Sequence, residues 1–380
     1  MSGMPLRASF TLGVEEEYQL VDPVSGALKS RARAVLAGDW SGEIKPEMQQ
    51  NTLEVGTRVC GSAAEAGEEL ARLRLQAAVA AEAQGVRVAA AGTHPFSHWA
   101  GQAFTDAPVY ERLHREYRSL AESQLIFGMH VHVALPSEVD RLRVMNVARL
   151  YLPHLLALTA SSPFFLGEDT GYASYRSILW RRWPRAGVPP RFADEAEFAE
   201  VLRLMLETGR IDAPGRLYWD VRPHHAYRTL EFRVADVTPR LEDAVLAAAL
   251  ARALVLGIVE GVLREPELPE PAVQALLGDA AWRAARDGLD AEFVDVAAGS
   301  LAARPVRERL AELVQRLAPL ARELGDAGAL EELPRLLERG GAATRMRAVQ
   351  AQRGDAGLVQ WLADETLLGL GLDRRAEQRR

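Results

Sequence analysis

The sequence predicts an α+β fold on two observations. The first half alternates short, β-rich apolar runs with turn residues, whereas the second half is dominated by long Ala/Leu/Arg segments at helical spacing. The length of 380 residues, with 48% hydrophobic and 26% charged residues, describes a globular chain with ample capacity to bury a core.

Candidate strands span residues 10–21, 52–59, 87–92, 129–135 and 229–237, each bounded by polar, Gly or Pro residues that can turn the chain. Candidate helices span 63–83, 139–160, 195–208, 241–264, 305–323 and 330–339. Lying between non-adjacent strands, they would cover one face of a sheet. Ser137, Asp140 and Asp194 are the expected N-caps, and Gly209 and Gly325 the expected stops. No internal repeat or low-complexity linker occurs, so residues 1–380 read as one domain whose segment 265–380 is a helical C-terminal portion. Within it, 265–271 reads as a surface loop and the charged tail 373–380 as a disordered end.

A formal net charge of −7 gives no electrostatic case for nucleic acid or an anionic membrane as partner, which makes small molecules the default ligands. Cys60 is the single cysteine, so neither an intrachain disulfide nor a Cys-rich zinc site can form. The first ten residues lack a signal-peptide core, and the apolar stretch 244–263 carries Arg252 and Glu260, as suits a buried helix rather than a bilayer span. A cytoplasmic location is the expectation. The only lysines, Lys29 and Lys45, follow Leu28 and Ile44, so the Gly-Lys-Ser/Thr ending of a Walker A loop is absent.

Alternate residues of a strand share a face. In Gly13-Val14-Glu15-Glu16-Glu17-Tyr18, Glu15 and Glu17 therefore project from one face and Val14, Glu16 and Tyr18 from the other. Two like charges about 6–7 Å apart repel unless a cation or arginine lies between them or the edge is solvated. Glu54 shares a face with Thr52, opposite Leu53 and Val55, while Glu47 precedes that strand. In Gly128-Met129-His130-Val131-His132-Val133, both histidines share a face; a lone strand histidine is ordinarily a satisfied core residue, but a pair points to metal or phosphate contact. Glu231 and Arg233 likewise share a face, either as a cross-strand ion pair or as a metal carboxylate beside an arginine that neutralises a transferring phosphoryl group.

The four strands repeat one design, an apolar face and a face bearing Glu15, Glu17, Glu54, His130, His132, Glu231 and Arg233. Burying so many acids without counter-charge is costly, and divalent cations held by oxygens and one imidazole relieve it; Mg²⁺ or Mn²⁺ suits this donor set better than zinc. In the turn-rich loop 161–176, Arg176 is suited to clamp a carboxylate or phosphate bidentately. The run 181–184 reads as surface, and Pro95 prevents a helical pairing of His94 with His98, so neither histidine is expected to be a ligand.

These motifs, together with Gly92-Thr93-His94-Pro95 and Trp282-Arg283-Ala284, run in order over most of residues 9–290 and resemble the bacterial carboxylate-amine ligase family that carries the label glutamate-cysteine ligase type 2, related in fold to glutamine synthetase. The resemblance implies a curved antiparallel sheet of about six strands backed by helices, whose concave face binds ATP and Mg²⁺. It implies Glu15, Glu17, Glu54, His130 and Glu231 as metal ligands, Arg233, Arg176 and His132 as nucleotide contacts, and Arg233, Glu54 and Arg176 as the residues of catalysis. The implied reaction activates a carboxylate, glutamate by family label, as an acyl phosphate that cysteine or another amine displaces; Glu47 and His132 are candidates for the proton acceptor. Two other readings stand beside it: a metal-dependent amide hydrolase, prompted by the His-x-His strand, and an inactive binding protein of the same fold. Partners would be small molecules, with self-association through a sheet edge open to the fold.

Overall fold

A computed structural model describes residues 9–38, 44–299 and 301–371; the tail expected at 373–380 lies outside them. The chain forms a mixed α/β structure around a mainly antiparallel sheet, as the α+β reading requires. Its strands are β1 (Leu12–Val21), β2 (Ile44–Pro46), β3 (Thr52–Gly56), β4 (Arg87–Ala89), β5 (Gly128–Ala134), β8 (Val221–Pro223) and β9 (Thr229–Asp236), with the short hairpin β6 (Phe164–Phe165) and β7 (Glu168–Asp169) between β5 and β8 in sequence. Spatial order is β2-β3-β1-β5-β9-β8, with β4 pairing the C-terminal end of β1. The described sheet thus has seven strands. A further hairpin joins β10 (Glu292–Val294) and β11 (Ala303–Pro305).

The expected strands at 10–21, 52–59, 129–135 and 229–237 all form, and the expected strand at 87–92 shortens to β4. β2 and β8 are too short for alternation to announce them. One sheet face meets helices Ala63–Glu82 and Leu241–Val259, which also pack on each other. Leu12, Val14, Tyr18, Leu53, Val131, Val133 and Phe232 enter this core from the strands. The apolar helix is indeed buried: Arg252 within it is 2% exposed and donates to the carbonyls of Phe10 and Gly61 at 2.6 and 2.7 Å and to Asp326 at 2.8 Å. No helix among the described residues is long and apolar enough to cross a membrane.

Asp140 and Asp194 cap helices Arg141–Ala148 and Glu195–Glu207 as expected, and Gly325 ends Val306–Leu324 with φ +77°. Ser137 caps nothing; its hydroxyl meets Glu138. The single helix expected over 139–160 is two, Arg141–Ala148 and Leu152–Thr159, joined by a 3₁₀ turn, because Pro153 has no N–H to continue the ladder. Helices Glu270–Asp287 and Ala342–Thr366 lie in the segment expected to be helical, although the sequence did not delimit them; the second bends at Gly354, where φ is +66°.

Candidate active site

Register, rather than spacing along the chain, builds the site. Glu17 of β1 lies opposite Glu54 of β3, Glu15 lies opposite His130 of β5, and His132 lies opposite Glu231 of β9. The polar face predicted from alternation is therefore contiguous across four strands, and its donors fall into two groups. Glu17, Glu47 and Glu54 bring one oxygen each within 4.8 Å of one another, and Glu15, His132 and Glu231 do the same with two oxygens and an imidazole nitrogen.

Among the described residues no basic side chain forms an ion pair with the first group, and the charges of Arg233 and Lys45 only partly offset its repulsion. Burial, then the charge of Glu17, pushes the Glu47 carboxyl up to about 7. Burial, then Glu47, raises Glu54 well above the carboxylate range, and Lys45 across the β2–β3 ladder does not offset them. Three carboxyls held this close fit a hard divalent cation, as Mg²⁺ or Mn²⁺ is.

The second group is compensated. Burial opposes the Glu15 charge, but hydrogen bonds from His130 and His132 outweigh it and hold Glu15 below the usual range. His130 Nδ1 lies 3.0 Å from Glu15, and His132 Nε2 lies 3.5 Å from the same oxygen. His132, expected among the nucleotide contacts, is thus the imidazole of this group, while His130 braces Glu15; burial, then Arg233, lowers the His130 pKa. Glu231 is 2% exposed, accepts from Arg222 Nε at 2.7 Å and also pairs with Arg233. Burial would raise its pKa, and Arg233 and Arg222 more than reverse this.

Arg233 reaches the site through a bulge. Val131 pairs with Phe232 and Met129 with Ala235, so Arg233 and Val234 together face His130. Its guanidinium lies 5.6 Å from the Trp180 ring centre, and its Nε has no partner among the described residues. Arg176, at 3% exposure, lies beside it, 3.3 Å from the Arg233 carbonyl and 3.9 Å from Asp236. Asp236 is held in turn by the Ser162 and Ser174 hydroxyls at 2.6 and 2.8 Å. Gly128 leaves room for this guanidinium: a Cβ would stand 2.3 Å from Arg176 Nη2, so the arginine would have to move.

A cleft runs along this face, lined by Glu17, Glu47, His130, Arg176 and Arg233 on its charged side. Its remaining lining includes Trp183, which is 5% exposed, so the reading of 181–184 as surface fails for that residue. The arginine-rich flanks hid it; Arg182 is exposed while Trp183 turns inward. Arg222 was also missed, because a three-residue strand has no readable period. All seven acids and bases predicted for the polar face are brought together, with Glu47 added.

Residues 11–360 match the family described as "Glutamate-cysteine ligase family 2(GCS2)". Among curated proteins, one named "Putative glutamate--cysteine ligase 2" from Herpetosiphon aurantiacus is 37% identical over 372 residues, covering 97% of this chain and 96% of the relative. Another with the same name, from Roseiflexus castenholzii, is 40% identical over 369 residues, covering 95% and 96%. Among solved structures, a glutamate-cysteine ligase from Francisella tularensis in complex with AMP shares the fold with a TM-score of 0.70 at 12% identity, covering 97% of this chain and 91% of that one. A bifunctional glutathione synthetase from Pasteurella multocida gives 0.70 at 19% identity; the chain covers 96% of itself and 53% of that protein. With the match spanning nearly its whole described length, the chain belongs to glutamate-cysteine ligase family 2, a family of ligases.

Proposed function

We infer that the protein is an ATP-dependent carboxylate-amine ligase that activates glutamate as an acyl phosphate and transfers the acyl group to an amine. The observation that carries this reading is the pair of acid groups side by side on one sheet face, one only partly offset and one braced by histidine, with Arg233 and Arg176 beside them.

Glu17, Glu47 and Glu54 would hold one Mg²⁺, and Glu15, His132 and Glu231 a second. Bound there, Mg²⁺ supplies charge neutralisation for the phosphates of ATP. Arg233 presents fixed positive charge where oxygens of the transferring group become more negative, and Arg222 keeps Glu231 ionised and oriented. Arg176, packed against Gly128 and anchored near Asp236, fixes the second cationic group without a flexible tether. The glutamate carboxylate attacks the γ-phosphorus of ATP and ADP leaves. The amine then attacks the acyl carbon and phosphate leaves.

ADP release is measured with glutamate, Mg-ATP and a panel of amines. Arg233→Ala is expected to lower kcat by about a hundredfold or more with folding intact. Amide hydrolysis without nucleotide, or unchanged turnover in Arg233→Ala, overturns the reading.

A further inference from the structure

The main core does not supply the outer wall of the cleft. A separate apolar cluster does, built on Leu113, Tyr117, Trp183 and Tyr218. The rings of Trp180, Trp183 and Tyr218 stand 5.5, 5.6 and 6.3 Å apart, and Tyr117 lies 4.4 Å from Trp183, so each ring is held by its neighbours. Such a wall is rigid before anything binds, which lowers the entropy cost of binding.

Gln124 completes the wall. It is 6% exposed and lines the cleft, yet neither its amide nitrogen nor its amide oxygen has a hydrogen-bond partner among the described residues. Its backbone carbonyl is already engaged by Gln49 Nε2 at 2.9 Å, which fixes where the side chain starts. Arg176 apart, the segments 110–126 and 175–218 contribute to the cleft only uncharged groups. The charged side belongs to the cations and the carboxylate donor. The uncharged wall suits an uncharged ring or alkyl group, which under the ligase reading is the adenine of ATP or the group the amine carries, and the two are told apart by whether Trp183→Ala changes the order of acceptors.

Resting on the ligase reading, we propose that the acceptor is an amine bearing an apolar or aromatic group, seated against Trp183 and Tyr218 with its polar atom on Gln124, and that it is preferred over cysteine. The chemistry is ordinary aminolysis. The amine nitrogen forms a bond to the acyl carbon, the acyl carbon–oxygen bond to phosphorus breaks, phosphate leaves with that electron pair, and the nitrogen loses one proton. The CH₂SH of cysteine covers little of a three-ring wall, whereas each further methylene buried there is worth about fourfold in kcat/KM.

The test compares phenethylamine, isoamylamine, ethanolamine and cysteine as acceptors, with glutamate and Mg-ATP, by ADP release and by mass detection of the amide. Expected is a kcat/KM for phenethylamine at least about tenfold above that for cysteine, with ethanolamine lowest. Trp183→Ala is expected to erase this order, and Leu113→Ala to compress it, should the larger truncation fail to fold. If cysteine is the best acceptor, or the order survives in both variants, the proposal is overturned while the ligase stands. If no amine elicits ADP release, the ligase reading falls and the proposal with it.

Discussion

His94 shows how a histidine is satisfied without a metal. It is fully buried; its Nδ1 accepts from the amides of Ser97 and Phe96 at 2.9 and 3.3 Å, which leaves Nε2 to donate to the Gly26 carbonyl at 2.9 Å. Burial pushes its pKa down to about 4 from 6.5, against the pull of the Gly26 carbonyl. A depressed histidine stabilises the fold above its unfolded pKa and loses that contribution as pH falls from about 6.5 towards 4, by at most about 3 kcal/mol. Urea midpoints measured between pH 7 and 4.5 should therefore fall less steeply in His94→Gln than in the wild type. That Pro95 bars a helical pairing of His94 with His98 was legible from the sequence alone. So was the shared face of Glu15 with Glu17, because period two is a local property of any strand. Glu47 was only a weak candidate, since it follows the three-residue β2 and its direction is set by a turn.

At the scale of the element, β1 serves two masters. Its outward face carries Glu15 and Glu17, and between them Glu16 points into the core, where Arg74 binds it in bidentate fashion at 2.6 and 3.0 Å and the Tyr18 hydroxyl donates to it. Both partners are fully buried. Arg74→Met is expected to cost about 3–5 kcal/mol, because it leaves a buried carboxylate unpaired; chemical denaturation checks this. β5 is constrained from the other side. Gly128→Ala should displace the Arg176 guanidinium, lower ADP release at least about tenfold, and cost about 1–3 kcal/mol in stability. Normal turnover in that variant would remove Arg176 from the site. Strand and helix periods were readable here, but the β9 bulge that turns Arg233 towards His130 was not. An extra residue in a ladder depends on the partner strand, which the local sequence does not contain.

For the whole molecule, the decisive quantity is the repulsion collected in one cleft. Glu17, Glu47 and Glu54 have no cationic side chain within their group, so the apo fold stores a cost that Mg²⁺ would relieve. At a concentration of about 100 times its Kd, a ligand specific for the folded state adds about 2.7 kcal/mol. Thermal unfolding with Mg²⁺ and with EDTA should differ accordingly in the wild type. Glu54→Gln should raise the metal-free stability by about 1 kcal/mol and keep only the part of the Mg²⁺ response that the group of Glu15, His132 and Glu231 would supply. A rise with Mg²⁺ as large in Glu54→Gln as in the wild type would place no ion on Glu17, Glu47 and Glu54. That acids from β1, β3 and β9 share one sheet face was inferred from their common pattern. Their partition into two groups was not, because it follows from strand order and register, which long connections fix.

Arg74 also donates to the carbonyls of Thr238, Pro239 and Thr366, the last 292 residues further along the chain and 3.2 Å away. The Thr366 hydroxyl also receives the Ala90 amide, and Asp364 meets Arg87. During synthesis, the strand that presents Glu15 and Glu17 leaves the ribosome early but acquires this rear brace only after the helix Ala342–Thr366 has emerged. A nascent chain stalled before that helix would carry every acid of the polar face and still lack this brace behind the strand that presents Glu15 and Glu17.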